Sequence, residues 1–155
     1  MPACLLDVNV WLAAAFTSHP AHLRAQAVLL DATPGSPALF CRATQQGFLR
    51  LVSTPAIFTA YRSMTITNRD AVTALAAFQA LPQVDLIDEP AGLEALWWRL
   101  AGLEEAAPKR WMDAYLAAFA IRGSLRMISL DRDFQQFLAA GLDLDLLPVE
   151  PDHGG

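Results

Sequence analysis

The chain alternates between short apolar runs and longer segments of helical periodicity. Residues 3–6 (ACLL) form an apolar run ending at Asp7, and VWLAAAF follows with helical character. This predicts a buried strand feeding a helix, with Asp7 at the strand's carboxyl end. Pro20 opens AHLRAQAVLLDA, a helix with Leu23, Ala27 and Leu30 on one apolar face, which the TPGSP cluster at 33–37 stops. A second strand is expected near 38–40 (ALF). In 44–53 (TQQGFLRLVS), Gln45, Phe48, Leu49 and Val52 share a helix face, and Thr54-Pro55 marks its end.

Residues 56–67 show no clear period. Asn68 is expected to cap a helix through DAVTALAAFQAL that Pro82 terminates, and VDLI at 84–87 reads as strand. After Pro90, GLEALWWRLAGL reads as helix. A polar loop with Pro108, Lys109 and Arg110 leads into the helix WMDAYLAAFAIRG, which closes on Gly123. RMISLD at 126–131, a helix through FQQFLAA and a last strand near DLDLLPV complete the pattern, with PDHGG (151–155) as a tail. Strands and helices alternating at this spacing imply parallel pairing through right-handed crossovers, hence an α/β class with helices on the sheet's faces. A chain of 155 residues suits one domain, placed at 1–150.

Composition narrows the function. Apolar residues make up 54% and charged residues 17%, which argues against disorder and leaves apolar surplus for a core or a partner surface, with Trp11, Trp97 and Trp98 as candidates. The net charge of −5 argues against a protein that coats nucleic acid through a broad basic field, but not against a metal-dependent nuclease with an acidic centre. Lys109 is the sole lysine beside ten arginines, the better bidentate phosphate ligands. Cys4 and Cys41 lack metal-ligand spacing and are expected reduced and buried. The start MPACLLDV does not read as a signal peptide and no apolar run reaches a membrane-spanning length, so a cytoplasmic protein is expected.

In open α/β sheets, ligands collect beyond the carboxyl ends of the strands, where Asp7 and Asp131 fall, with Asp133 two residues on. Alone, each could simply cap the next helix. Asp113 shifts the balance because it shares a helical stripe with Leu116, Ala117 and Ala120 that should face the sheet, where an unpaired carboxylate is costly. Either an arginine such as Arg110 or Arg122 compensates it, or a cation shared with Asp7 and Asp131 does. Carboxylates without His or Cys are hard oxygen donors suited to Mg²⁺ or Mn²⁺. His19 and His22 read as a helix-entry pair.

LLDVNVWL, TQQGFLRLVSTP, WMDAYLAAFAIRG and RMISLDRDF, in this order and spacing, resemble the blocks of PIN-domain VapC toxins over roughly residues 4–148. The resemblance implies a three-layer α/β/α PIN fold with a mainly parallel sheet. It also implies a divalent-metal endoribonuclease, the toxin of a type II toxin–antitoxin system, that cleaves RNA with metal-activated water. A VapB-like antitoxin, homodimerisation and an RNA substrate, with transfer RNA as one candidate, follow by the same analogy. Asp7, Asp113 and Asp131 become catalytic metal ligands (Mg²⁺ or Mn²⁺), Asn9 a supporting polar residue and Asp133 a fourth acid.

Two departures stand out. Gln45 replaces the glutamate that many relatives carry after the threonine, which keeps length but removes a charge; it is either a supporting site residue or a core-edge residue bonded to backbone. Trp111 stands where relatives have something smaller and either stacks on an RNA base or anchors the helix start. Arg50 and Arg110 either hold phosphate or neutralise a carboxylate. The alternative function is a catalytically weakened PIN-like RNA-binding or regulatory module. A haloacid-dehalogenase-like phosphatase is disfavoured because Asn9 stands where that family needs a second aspartate.

Overall fold

In the computed structural model, which describes residues 2–148, five strands form one all-parallel sheet in the order β3-β2-β1-β4-β5. These are β1 (Cys4–Leu6), β2 (Ala38–Phe40), β3 (Val84–Leu86), β4 (Arg126–Ser129) and β5 (Asp143–Leu146). Helices connect them: α1 (Val8–Ala15), α2 (His22–Asp31), α3 (Arg42–Val52), α4 (Pro55–Ala60), α5 (Asn68–Gln79), α6 (Leu93–Ala101) and α7 (Arg110–Arg122), with a 3-10 helix over Arg132–Ala140. The expected α/β layering is therefore present, and the tail at 151–155 lies outside the described residues, as does Val149 of the last expected strand.

Strand alternation divides the core between the two faces of the sheet. Leu5, Leu39 and Met127 join α6, α7 and the 3-10 helix on one side, whereas Leu6, Phe40 and Ile128 join α1, α2, α3 and α5 on the other. Both faces being covered explains why β1 and β2 read as unbroken apolar runs. Trp11, expected at a partner surface, is instead fully buried and stacks on Phe40 with ring centroids 3.8 Å apart. Of the other two tryptophans expected there, Trp98 is exposed and Trp97 partly buried.

The face of α2 is the reverse of the one expected. Leu23 and Leu30 are 76% and 75% exposed, and Ala21, Ala25 and Leu29 are buried in their place. Ala21, Ala25 and Leu29 pack with α1 in one core cluster, and Leu23 and Leu30 are left outside. Close approach shapes the α1–α3 contact, where a Cβ at Gly47 would come within 2.6 Å of Val8 Cγ2. The unassigned stretch 56–67 contains α4, started by Pro55 at its first position. The cap of α5 is Thr67 rather than Asn68, in a reciprocal box with Asp70. Cys41 is buried as expected, whereas Cys4 is only partly covered; both are free.

Candidate active site

The chain runs β1 to β2 to β3 in one direction and returns to lay β4 on the other side of β1. The carboxyl ends of β1 and β4 thus flank the point where strand order reverses, the usual ligand position in such sheets. Asp7 follows β1 and Asp131 follows β4, and both cap helices. Asp7 Oδ1 accepts the Val8 N–H at 2.7 Å, and Asp131 Oδ1 accepts the Asp133 N–H at 2.9 Å. Asp113 lies in the first turn of α7 and Asp133 in the first turn of the 3-10 helix. Helix starts carry partial positive charge, which offsets part of the repulsion among these acids.

Asp113, Asp131 and Asp133 each present a carboxylate oxygen, and these lie within 4.8 Å of one another; among the described residues no other trio of His, Cys, Asp or Glu does so. The expected trio had Asp7 where the structure has Asp133. Asp7 is held back because its second oxygen, Oδ2, accepts the Ser129 hydroxyl at 2.8 Å while Oδ1 caps α1. It still faces the cleft that Asp113 lines, and their charges interact. Burial, more than any other cause, pushes the Asp113 carboxyl up to about 6; Lys109 opposes the rise, and Asp131, Asp7 and Asp133 add to it. Burial likewise raises Asp7, against the hydrogen bonds from Ser129 and Val8. A cluster of hard oxygen donors, with the Asp113 carboxyl raised by burial and by its acidic neighbours, fits a divalent cation such as Mg²⁺ or Mn²⁺.

Ser129, which sequence reasoning did not single out, joins the two acid-bearing strand ends. Its buried hydroxyl donates to Asp7 and accepts the Asp131 N–H at 2.9 Å, with Asn9 Nδ2 at 3.4 Å. Asn9 Oδ1 in turn accepts the Leu130 N–H at 3.2 Å. The supporting role expected of Asn9 is thus mechanical, tying the start of α1 to the end of β4. Ser129→Ala should lower stability by about 1–3 kcal/mol by leaving buried partners unsatisfied. Urea denaturation would measure this, and a loss below about 0.5 kcal/mol would show that the hydroxyl is dispensable.

Lys109 was also missed as a site residue, although a lone lysine four residues before Asp113 was the available signal. Its Nζ lies 2.7 Å from Asp133 Oδ2 and 3.6 Å from Asp131 Oδ2. The hydrogen bond to Asp133, then the charge of Asp131, hold its pKa above the ordinary lysine value.

The remaining candidates divide. Gln45 is not directed at the acids: its Oε1 accepts from Arg42 at 2.6 Å and its Nε2 donates to Gln79 at 2.6 Å, bridging α3 to α5. Arg110 is likewise committed elsewhere, donating to Leu100 O at 2.7 Å and to Gln136 Oε1, with its guanidinium over Phe137. Arg50 and Trp111 both line the cleft that contains Asp7 and Asp113. Trp111 is 46% exposed and meets Trp97 edge-on. His19 and His22 bond the Ala21 N–H and the Ala13 carbonyl near the start of α2, as a helix-entry pair would.

Comparison with known proteins agrees with this fold. The family model described as the PIN domain matches residues 4–138. The chain is 45% identical over 146 residues to Ribonuclease VapC41 of Mycobacterium tuberculosis, covering 92% of this chain and 97% of that protein. Two solved structures share the fold. VapC20 of Mycobacterium tuberculosis, a Sarcin-Ricin loop cleaving toxin, matches with a TM-score of 0.62 at 18% identity, covering 90% of this chain and 96% of that one. A chain of VapBC2 from Rickettsia felis, bound to a DNA fragment from their promoter, matches with a TM-score of 0.60 at 13% identity, covering 93% and 98%.

Proposed function

Because this chain belongs to the PIN-domain family, we propose that it is a ribonuclease of the VapC kind, the toxin of a toxin–antitoxin pair, hydrolysing RNA phosphodiester bonds at the acid cluster. The observation that carries this reading is the meeting of the Asp113, Asp131 and Asp133 oxygens within 4.8 Å at the carboxyl edge of the sheet.

In this reading Asp113, Asp131 and Asp133 would hold Mg²⁺ or Mn²⁺, with Asp7 lining the cleft beside Asp113. When bound, the cation supplies Lewis-acid charge to the phosphoryl oxygens and makes the attacking water more acidic. Asp7, whose proton affinity burial has raised, is suited to take a proton from that water. Ser129 and Asn9 keep Asp7 and Asp131 in register. Arg50 offers a guanidinium to the RNA backbone, and Trp111 offers a ring face to an unstacked base, a contact that suits RNA presenting unpaired nucleotides.

The partner in this proposal is a VapB-like antitoxin. The cleft beside the acids is walled by Val8, Leu51, Trp97 and Met112, which suits an apolar segment bearing a basic residue that reaches the carboxylates. Homodimerisation and a cytoplasmic setting belong to the same proposal; no helix among the described residues is long and apolar enough to cross a membrane. The test is incubation of purified protein with transfer and ribosomal RNA. Cleavage should stop in EDTA and return with Mg²⁺ or Mn²⁺. Undiminished cutting in EDTA, or intact RNA with both metals, would remove the basis of the proposal.

A further inference from the structure

Lys109 lies where a cation's charge is wanted. Its ammonium contacts two of the three clustered carboxylates, at 2.7 Å from Asp133 and 3.6 Å from Asp131, yet its side chain is 71% exposed and free to leave. The residue precedes α7 at Lys109–Arg110, so the backbone that carries it is anchored to the helix bearing Asp113. It also borders both clefts that meet at Asp113, the polar one with Arg132 and Gln136 and the aromatic one with Trp97 and Trp111. An ammonium and a divalent cation cannot both sit among these oxygens without strong repulsion.

Resting on the nuclease reading above, we propose that Lys109 is an internal counter-ion of the acid cluster, which a divalent cation displaces and which then turns its charge toward the RNA backbone in the adjoining cleft. Metal uptake and RNA binding are thereby coupled: each draws the ammonium away from the acids or holds it away, so each strengthens the other. An exposed ion pair is weak, so the competition is modest and reversible.

As the only lysine in the chain, Lys109 gives a single side-chain ε-CH₂ signal in protein labelled with ¹³C-lysine. That signal should shift during a Mg²⁺ titration and saturate together with metal binding. In calorimetry without RNA, Lys109→Met should bind Mn²⁺ about three- to fivefold more tightly than wild type at low salt. Lys109→Arg, which keeps the charge, should stay near wild type. Arg132→Met removes the same charge from the same cleft without touching the acids and should change affinity by less than about twofold. A lysine signal that stays put while the metal binds, or equal affinities in Lys109→Met and wild type, would overturn the counter-ion role and leave the metal site standing. Wild-type protein that takes up no Mn²⁺ would overturn both.

Discussion

Asp113→Asn should abolish RNA cleavage, by about a thousandfold or roughly 4 kcal/mol of transition-state stabilisation, while leaving the protein folded and no less stable. The second half follows from the environment of the carboxyl. Its pKa of about 6 means that burial and neighbouring acids disfavour the charged form, so a neutral amide of equal size relieves a cost. The same fact fixes a pH dependence. Below about 6 Asp113 holds a proton that must leave before a cation binds, so Mn²⁺ affinity should fall as pH drops through 6 and should lose that inflection in Asp113→Asn. In metal-free protein the sign is opposite for stability. Asp113 keeps its proton in the fold where the unfolded chain has released it, so its contribution is fully present below the unfolded pKa near 4 and is lost as pH rises through 6. Cleavage retained within tenfold in a folded Asp113→Asn protein would place the chemistry elsewhere.

The largest stability effect is expected at Trp11. Trp11→Ala removes a fully buried indole stacked on Phe40 and in contact with Phe78, and should cost about 3–5 kcal/mol, lowering Tm by roughly 10–15 °C. Trp11→Phe should cost much less. The indole Nε1 finds no acceptor in the protein, so the smaller ring gives up volume but also removes an unsatisfied buried donor. Because Asp7 caps α1, the helix that carries Trp11, the alanine variant should also loosen that acid. Thermal denaturation of the two variants decides the point: equal losses would mean that an aromatic ring against Phe40 contributes nothing at this position.

The order of strands and helices was legible in the sequence because short apolar segments, unbroken in the inner strands β1 and β2, alternate with longer stretches of helical period. Asp113 was legible as well, since a carboxylate on the buried stripe of α7 demands an explanation. What failed was the choice between two apolar faces. On α2 both Leu23/Leu30 and Ala25/Leu29 fit a helical period, and tight packing against α1 selects the smaller set. α1 is apolar nearly all round, so nothing in VWLAAA marks Trp11 as the residue pointing inward. α4 is too short for a period to emerge; Thr54-Pro55 follows the end of α3 as expected, and Pro55 also begins the next helix.

Within the site, the substitution of Asp133 for Asp7 in the trio comes from local geometry that spacing alone does not encode. Asp7 spends both oxygens on the Val8 amide and the Ser129 hydroxyl, whereas the tight first turn after Asp131 brings Asp133 beside it. Lys109, though noted as the sole lysine, and Ser129 were not placed in the site, for opposite reasons. The lysine belongs to a loop without periodicity, and the serine is a small polar residue inside an apolar strand, conspicuous only once its three partners are seen. Gln45 is occupied by Arg42 and Gln79, so the charge missing at that position is not presented to the cluster by any rotation that keeps those bonds.

β1 and β4 are paired in parallel with Leu6 opposite Ile128, and the Asp7 N–H closes the ladder on the Ile128 carbonyl at 2.9 Å. Adjacent strands stand about 4.8 Å apart wherever they are bonded this way. The gauge between the two strand-end acids is therefore set by peptide groups, whose spacing mutation of side chains does not alter. Side chains lining the cleft can be exchanged while that gauge stays constant, which separates the shape of the cleft from the spacing of its acids.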